Sequence, residues 1–281
     1  MTGLGPLEQV WRTPKAQLLL LFGVLLVVAA PAAGGLALLP NLAAAVVCAC
    51  AIDVVWHLVE TRRLLRPSSA LLSALIVFFI LSPDESWLVV GWTSAFAVIS
   101  KRIVRTDREH IFNPAALALV WAPIAFGSGE SWWGAFGDLP WPWIGLLVLG
   151  GLWVVQRLNK FPAVLTFLAV YFSFFTGMAL SNPRPVAEMF RDPFLQAALF
   201  LAFFMLTDPP TSPNRYLDQV WYGALAAFGA CLAQVLGAGQ VYLLLGVLLA
   251  NAGLAVVRWV RRRTEASVRD ATLVARPLRS P

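Results

Sequence analysis

Ten apolar runs, separated by short polar or Pro/Gly-containing breaks, make up most of the chain. They fall at about 16–38, 41–59, 68–82, 86–100, 112–126, 142–157, 162–180, 193–206, 217–236 and 239–258. Runs of this kind predict bilayer-spanning helices. Three of them, 68–82, 86–100 and 112–126, hold only 15 residues each. That is roughly 22 Å of helix against a hydrocarbon core of about 30 Å. Such helices are thinly covered, tilted, or stopped short inside the protein. The pattern predicts an all-α polytopic membrane protein of about ten transmembrane helices. Its membrane domain covers 16–258, in halves at 16–126 and 142–258, between an N-terminal segment 1–15 and a basic tail 259–281.

The halves carry a matching feature. Phe78-Phe79-Ile80-Leu81-Ser82-Pro83-Asp84 ends the third run, and Phe203-Phe204-Met205-Leu206-Thr207-Asp208-Pro209 ends the eighth. The two are five runs apart, and an odd-numbered repeat inverts in the membrane. The expected architecture is therefore an inverted five-plus-five repeat.

Composition agrees with a membrane domain. The 281 residues are 59% hydrophobic and 13% charged, with mean hydropathy +0.74. A soluble domain carries about twice that charge fraction. The N-terminus makes a poor signal peptide, although Ala29–Ala33 offers small residues that mimic a cleavage site. The apolar run after Arg12 and Lys15 is long enough to span, and another follows at once. A retained first helix is expected.

The net charge of +6 marks topology rather than nucleic-acid binding. With a cytoplasmic N-terminus, all of the 21 Lys and Arg except Arg184 and Arg191 fall in inner segments. The positive-inside rule then puts both termini in the cytoplasm. The outer segment 127–141 carries Glu130 and Asp138 and no base, and its tryptophans, with Trp143, read as an interfacial aromatic belt.

Candidate chemistry is sparse. Cys48, Cys50 and Cys231 lie in apolar runs without disulfide or zinc spacing. They read as packing residues, the alternative being a cluster shared with a partner chain. No metal site is expected. His57 and His110 make a poor bis-His haem pair, since only one lies in a span. Asp53 is a carboxylate inside the second run, four residues before His57, so the two share a helix face. They form either a local hydrogen-bonded pair or a proton or cation step. No Ser/His/Asp set, phosphate loop or His-Glu-x-x-His motif is present.

Two polar, Pro-containing elbows stand out: 111–116, Ile-Phe-Asn-Pro-Ala-Ala, and 207–213, Thr-Asp-Pro-Pro-Thr-Ser-Pro. A freed backbone group in lipid costs several kcal/mol unless it is satisfied, so such chain tends to line a cavity. Asn113-Pro114 alone reads as an ordinary capped helix start. The second elbow is a rigid cluster of hydroxyls and a carboxylate. It suits a flavin's phosphate or ribityl chain, an ion or a quinone headgroup. Asp208 favours ribityl hydroxyls or a cation over a phosphate.

Here the sequence resembles the RnfD/NqrB family of membrane flavoprotein subunits of ion-pumping redox complexes. The resemblance is carried by Ser73-Ala74-Leu75-Ile76, Phe96-Ala97 with Lys101, Phe112-Asn113-Pro114-Ala115, and Thr207-Asp208-Pro209 with Thr211-Ser212-Pro213, and covers about 70–260. It implies electron transfer by a flavin, FMN or riboflavin, in the cell (inner) membrane, possible coupling to ion movement, and partners that are other membrane redox subunits or a soluble electron donor. The residues it implies for flavin are Ser73, Lys101, Asn113, Pro114, Thr207, Asp208, Thr211 and Ser212, with Asp53 and His57 as ion or proton candidates. The family's outer-loop Ser/Thr-Gly-Ala-Thr motif, whose Thr is joined to FMN, has no counterpart, because 127–141 contains no Thr. The flavin is accordingly expected to be non-covalent. Divergent members of this profile also resemble membrane proteins of enediyne natural-product clusters. The alternative function is therefore a flavin-free transporter or export accessory of a natural-product pathway.

Overall fold

The computed structural model describes residues 13–62, 67–106, 109–181 and 184–274. Arg12, Arg63, Arg66, Arg108, Arg276 and Arg279, which contribute to the charge pattern, lie outside them, as does most of segment 1–15. A helix occupies each apolar run: α1 Pro14–Ala29, α2 Leu39–Thr61, α3 Ser68–Ile80, α4 Trp87–Ile103, α5 Pro114–Phe126, α6 Pro142–Leu158, α7 Phe161–Ser181, α8 Phe194–Phe200, α9 Tyr216–Val235 and α10 Tyr242–Val274. A π-helical turn, Leu201–Met205, prolongs α8. Among the described residues there is no strand, only isolated bridges at Leu81–Glu130 and Arg105–His110.

Local chemistry sets the boundaries. Pro14, Pro114 and Pro142 open helices where a missing N–H is harmless. Thr13, Ser86 and Asn113 cap starts by accepting a backbone N–H. Arg62, Gly127 and Asn159 end helices in the left-handed conformation.

Two expected boundaries are corrected. The first run is not one helix to residue 38, because α1 stops at Ala29. Pro31 cannot continue the ladder, Gly34 and Gly35 take φ of 126° and 61°, and a short 3-10 turn, Gly35–Leu38, leads into α2. At the other end, α10 runs past 258 to Val274. Its Arg-, Ala- and Glu-containing sequence holds no Gly or Pro after Gly253 until Pro277.

The chain is a membrane protein by its apolar helices. Three stretches, Gly35–Thr61, Phe161–Ser181 and Gly239–Glu265, are long and apolar enough to cross a bilayer. Five shorter apolar helices accompany them: α1, α3, α5, α6 and α8 with its π turn.

Packing repeats along the chain. α2 lies chiefly against α4, and five helices on, α7 lies chiefly against α9. Between the halves, Phe22 of α1 packs edge-on to Phe79 of α3 at 5.6 Å and to Phe204 at 5.2 Å, and stacks on Phe200 of α8. Phe79, at the end of α3, meets Phe200, at the end of α8 where the π turn begins. The start of α3 shares a cavity with Phe204 and Thr207, beyond α8. The two helices therefore run antiparallel.

Segment 127–141 is not the expected exposed belt. Trp132 and Trp133 are buried, and the Trp133 indole donates to the Phe78 carbonyl at 2.8 Å. The Ser131 and Trp132 amides donate to the Ile80 carbonyl. The segment thus satisfies the open end of the short helix α3. Trp141 and Trp143 do face outward.

Close helix contact depends on small residues, as is common in membranes. A Cβ on Gly223 of α9 would come within 2.3 Å of the Ala163 carbonyl oxygen of α7. Gly223→Ala is expected to destabilise the protein by about 1–3 kcal/mol, the range for overpacking, read as a lowered Tm in detergent. Gly145→Ala, where nothing lies within 4 Å, is the control and should leave Tm in place.

Candidate functional site

The site begins with Asn113. Its Oδ1 accepts the Ala116 amide and caps α5 at 3.1 Å. Its Nδ2 donates to the Met205 carbonyl at 3.3 Å. Its backbone N–H donates to Asn251 Oδ1 of α10 at 2.8 Å. The helix cap is thus also the bridge between the elbows, which lie side by side.

The second elbow has its polar groups satisfied from within and without. Thr207 Oγ1 donates back to the Phe203 carbonyl. The Thr211 and Ser212 amides and the Ser212 hydroxyl donate to the Asp208 carbonyl, and Thr211 Oγ1 donates to Asp208 Oδ2 at 2.9 Å. Four successive carbonyls are then taken by other segments. Arg258 donates to Pro210 and Ser212, Asn251 Nδ2 to Thr211, and Lys160 Nζ to Pro213 at 2.7 Å. Arg258 also pairs with Glu109 at 2.6 Å, before the first elbow. Asn251 Nδ2 donates further to the buried Tyr222 hydroxyl.

Beside these elbows lies a cavity of about 220 Å³. Its apolar wall includes Leu72, Ile76, Trp153 and Phe204; its polar lining includes Gln17, Ser73, Asn113, Thr207 and Asp208. Lys15, His110 and Arg157 complete the ionisable lining. His110 Nε2 lies 3.7 Å from Asp208 Oδ2. The π turn places Phe204 in the wall, and such turns recur at functional sites.

Five of the eight residues singled out for flavin therefore line one cavity: Ser73, Asn113, Pro114, Thr207 and Asp208. Thr211 and Ser212 do not; their hydroxyls are turned to Asp208. Lys101 does not either. Its Nζ lies 3.3 Å from Asp53 Oδ1 in a separate cluster linking α4 to α2. Arg102 joins that cluster at 3.1 Å from Asp53 and 3.2 Å from Glu60. Asp53 and His57 thus lie away from the cavity, with two cations on the Asp53 carboxylate. His57 Nε2 is 2.9 Å from Arg102 Nη2. Guanidinium has only donors, so in this contact the ring nitrogen is the acceptor.

The residues that secure the elbows were not among the sequence candidates. Lys160 and Arg258 read as topology charges in the sequence, whereas Lys160 is 2% exposed. Burial pushes its ammonium down from 10.5 to about 8, Arg258 adding to the fall and Asp208 opposing it. Asn251 was signalled by being an amide inside an apolar run.

The cavity fits part of a flavin. Apolar and aromatic side chains offer a wall for a ring, and hydroxyls, an amide and a carboxylate offer partners for ribityl hydroxyls. Gln17 Oε1, buried and without a partner among the described residues, awaits a donor. The volume is below the roughly 300 Å³ at which drug-sized pockets begin, so a whole mononucleotide would reach beyond the mouth. On the far face, Glu130 is buried with neither carboxylate oxygen partnered among the described residues. Burial holds its carboxyl well above the usual carboxylate range.

Residues 129–265 match the model of the NQR2, RnfD, RnfE family. The match takes in the second elbow, Lys160, Asn251 and Arg258, and leaves out Ser73 and Asn113. An RnfD-type relative, a component of the ion-translocating oxidoreductase complex of Aliivibrio salmonicida (strain LFI1238), is 30% identical over 118 residues, which cover 41% of this chain and 34% of that protein. The chain thus spans about a third of the length of this curated relative.

Two outcomes follow from the geometry. Asn251→Leu strands the Asn113 amide and the Thr211 carbonyl, and is expected to destabilise by about 1–3 kcal/mol, read by thermal unfolding in detergent. Lys160 gives a pH signature. Between about 8 and 10.5 the unfolded chain holds a proton that the folded one has released, so stability rises with pH across that window. Lys160→Met should lack this rise when both proteins are melted from pH 7 to 10.5.

Proposed function

We propose, from the premise that the chain by residues 129–265 belongs to the NQR2, RnfD, RnfE family, that it is an integral-membrane electron-transfer subunit holding a non-covalent flavin. The observation that carries this reading is the convergence of the two elbows on one cavity. Asn113 comes from the first half, and Thr207 and Asp208 from the second. The flavin, when bound, would supply one- and two-electron transfer. The chain's own part is to hold it. Leu72, Ile76, Trp153 and Phe204 flank the ring, while Ser73, Thr207 and Asp208 meet polar atoms. Electrons pass to and from partner redox subunits of the inner membrane, and ion movement is coupled to that flow.

The reading includes ten spans with both termini cytoplasmic and an inverted five-plus-five repeat. The antiparallel run of α3 and α8, and the recurrence of the α2–α4 pairing as α7–α9, support the repeat. The competing reading is a flavin-free transporter using the same cavity. The lack of Thr in 127–141 favours it, because no attachment point secures the cofactor.

Flavin reconstitution of the purified protein separates the two. The flavin reading expects bound flavin by absorbance, fully released by acid, and about tenfold weaker binding in Asp208→Ala, the effect of one lost charge-assisted hydrogen bond. Colourless protein that takes up neither FMN nor riboflavin selects the transporter.

A further inference from the structure

Arg258, Arg261, Arg262 and Arg263 stand close together where the apolar part of α10 ends, and they do different things. Arg258 faces the elbows and pairs with Glu109. Arg261 forks onto both carboxylate oxygens of Asp218 in α9, at 2.7 and 2.8 Å. Arg262 and Arg263 have no hydrogen-bond or ion-pair partner among the described residues, and Glu265 pairs with neither. The Arg263 guanidinium lies instead over the Trp259 ring, 4.0 Å from its centroid. Arg262 stands on the other side of Trp259 and borders with it a crevice of about 50 Å³ beside Glu109 and His110.

The helix face leading up to Arg263 is apolar and bare. Leu249, Val256, Val260 and Arg263 follow one another at steps of seven, four and three residues, so they share one face. The three aliphatic side chains are exposed, as is Trp259. The elbows and α9 take other faces of α10, through Asn251, Arg258 and Arg261. In a bilayer the bare face meets acyl chains. From Tyr242 to Arg263 the helix rises roughly 30 Å, about the thickness of the hydrocarbon core. The two unpaired guanidiniums therefore lie at the level of lipid headgroups, and Trp259 lies at the interface where such rings sit. Beyond Arg263 the helix carries Glu265, Arg269 and Asp270 before it ends at Val274, one base against two acids. The surplus positive charge is thus confined to headgroup depth and absent from the part that leaves the membrane. That distribution fits a lipid better than a soluble acidic protein.

We propose that the face of α10 from Val256 to Arg263 is a seat for a phospholipid of net negative headgroup charge, in the leaflet on the side of the C-terminus. Arg262 and Arg263 hold the phosphate from either side of Trp259, their planar forks matching its oxygens, and an acyl chain lies along Val256 and Val260. A zwitterionic headgroup brings its own ammonium, which two adjacent guanidiniums repel. The seat is one turn beyond Arg258, on the helix that holds both elbows. A ligand that binds only the folded protein stabilises it, so the lipid strengthens the clasp on the elbows. The seat is independent of what occupies the cavity.

The full chain, in neutral detergent, is titrated with phosphatidylglycerol and with phosphatidylcholine, and bound lipid is read by native mass spectrometry. Phosphatidylglycerol is expected to bind at least about tenfold tighter. The variant Arg262→Gln/Arg263→Gln should erase that preference. The control Arg62→Gln/Arg215→Gln, which removes the same charge from exposed positions elsewhere in the inner segments, should keep it. In phosphatidylcholine nanodiscs, added phosphatidylglycerol should raise the Tm of the parent by about 2–4 °C and leave that of the Arg262/Arg263 variant in place. Both side chains are exposed, so the variant should fold, which an unchanged Tm in phosphatidylcholine alone verifies. Arg263→Gln, whose guanidinium lies on the Trp259 ring, gives the same readout as a milder change. Equal binding of the two lipids, a preference that survives in the Arg262/Arg263 variant, or its loss in the control overturns the proposal. No lipid retained by the parent overturns it as well, and leaves the face to a protein partner.

Discussion

Everything near the cavity depends on how four consecutive carbonyls, Pro210 to Pro213, are satisfied. They lie in non-helical chain just beyond an apolar helix, where an unmet acceptor is costly. Arg258, Asn251 and Lys160 meet them with four hydrogen bonds from two directions. Three of the seven elbow residues are prolines without an N–H, which lowers the number of donors to satisfy. Arg258 and Lys160 bring charge to that task, and charged donors make the stronger bonds. The elbow is thereby rigid without being helical, a suitable base for side chains that must point into a void.

Asn113 extends that rigidity across the molecule. One residue caps its own helix, catches the Met205 carbonyl and, through its main chain, reaches Asn251. The two halves meet here through polar atoms, and elsewhere through the rings of Phe22, Phe79, Phe200 and Phe204, of which Phe204 also lines the cavity. The cavity's lining combines apolar side chains such as Leu72, Ile76 and Trp153 with hydrogen-bonding ones such as Asn113 and Thr207.

Much of this was legible in the sequence. The helices follow from the apolar runs, and the Asn-Pro and Thr-Asp-Pro elbows were identifiable as breaks needing compensation. What was hidden had physical reasons. Charge counting treats every Lys and Arg as solvated, so the buried Lys160 and the clasping Arg258 passed as topology markers. Lys101 follows the family pattern in sequence, yet space pairs it with Asp53. Trp132 and Trp133 have the composition of an interfacial belt, but the open end of a short α3 needed covering. The stop of α1 at Ala29 was there to be read in Pro31 and Gly34-Gly35, and a long apolar run masked it. Asn251 carried its own signal, an amide among aliphatic neighbours.

α10 contributes no side chain to the cavity, yet it holds both elbows through Asn251 and Arg258. A chain made from its N-terminus completes α1 to α9 before α10. Until the ribosome has delivered the tenth helix, the carbonyls of Pro210, Thr211 and Ser212 and the amide of Asn113 lack their α10 partners, while Pro213 is already met by Lys160. The order of synthesis therefore sets an order of assembly: the pocket is the last part of the molecule to mature.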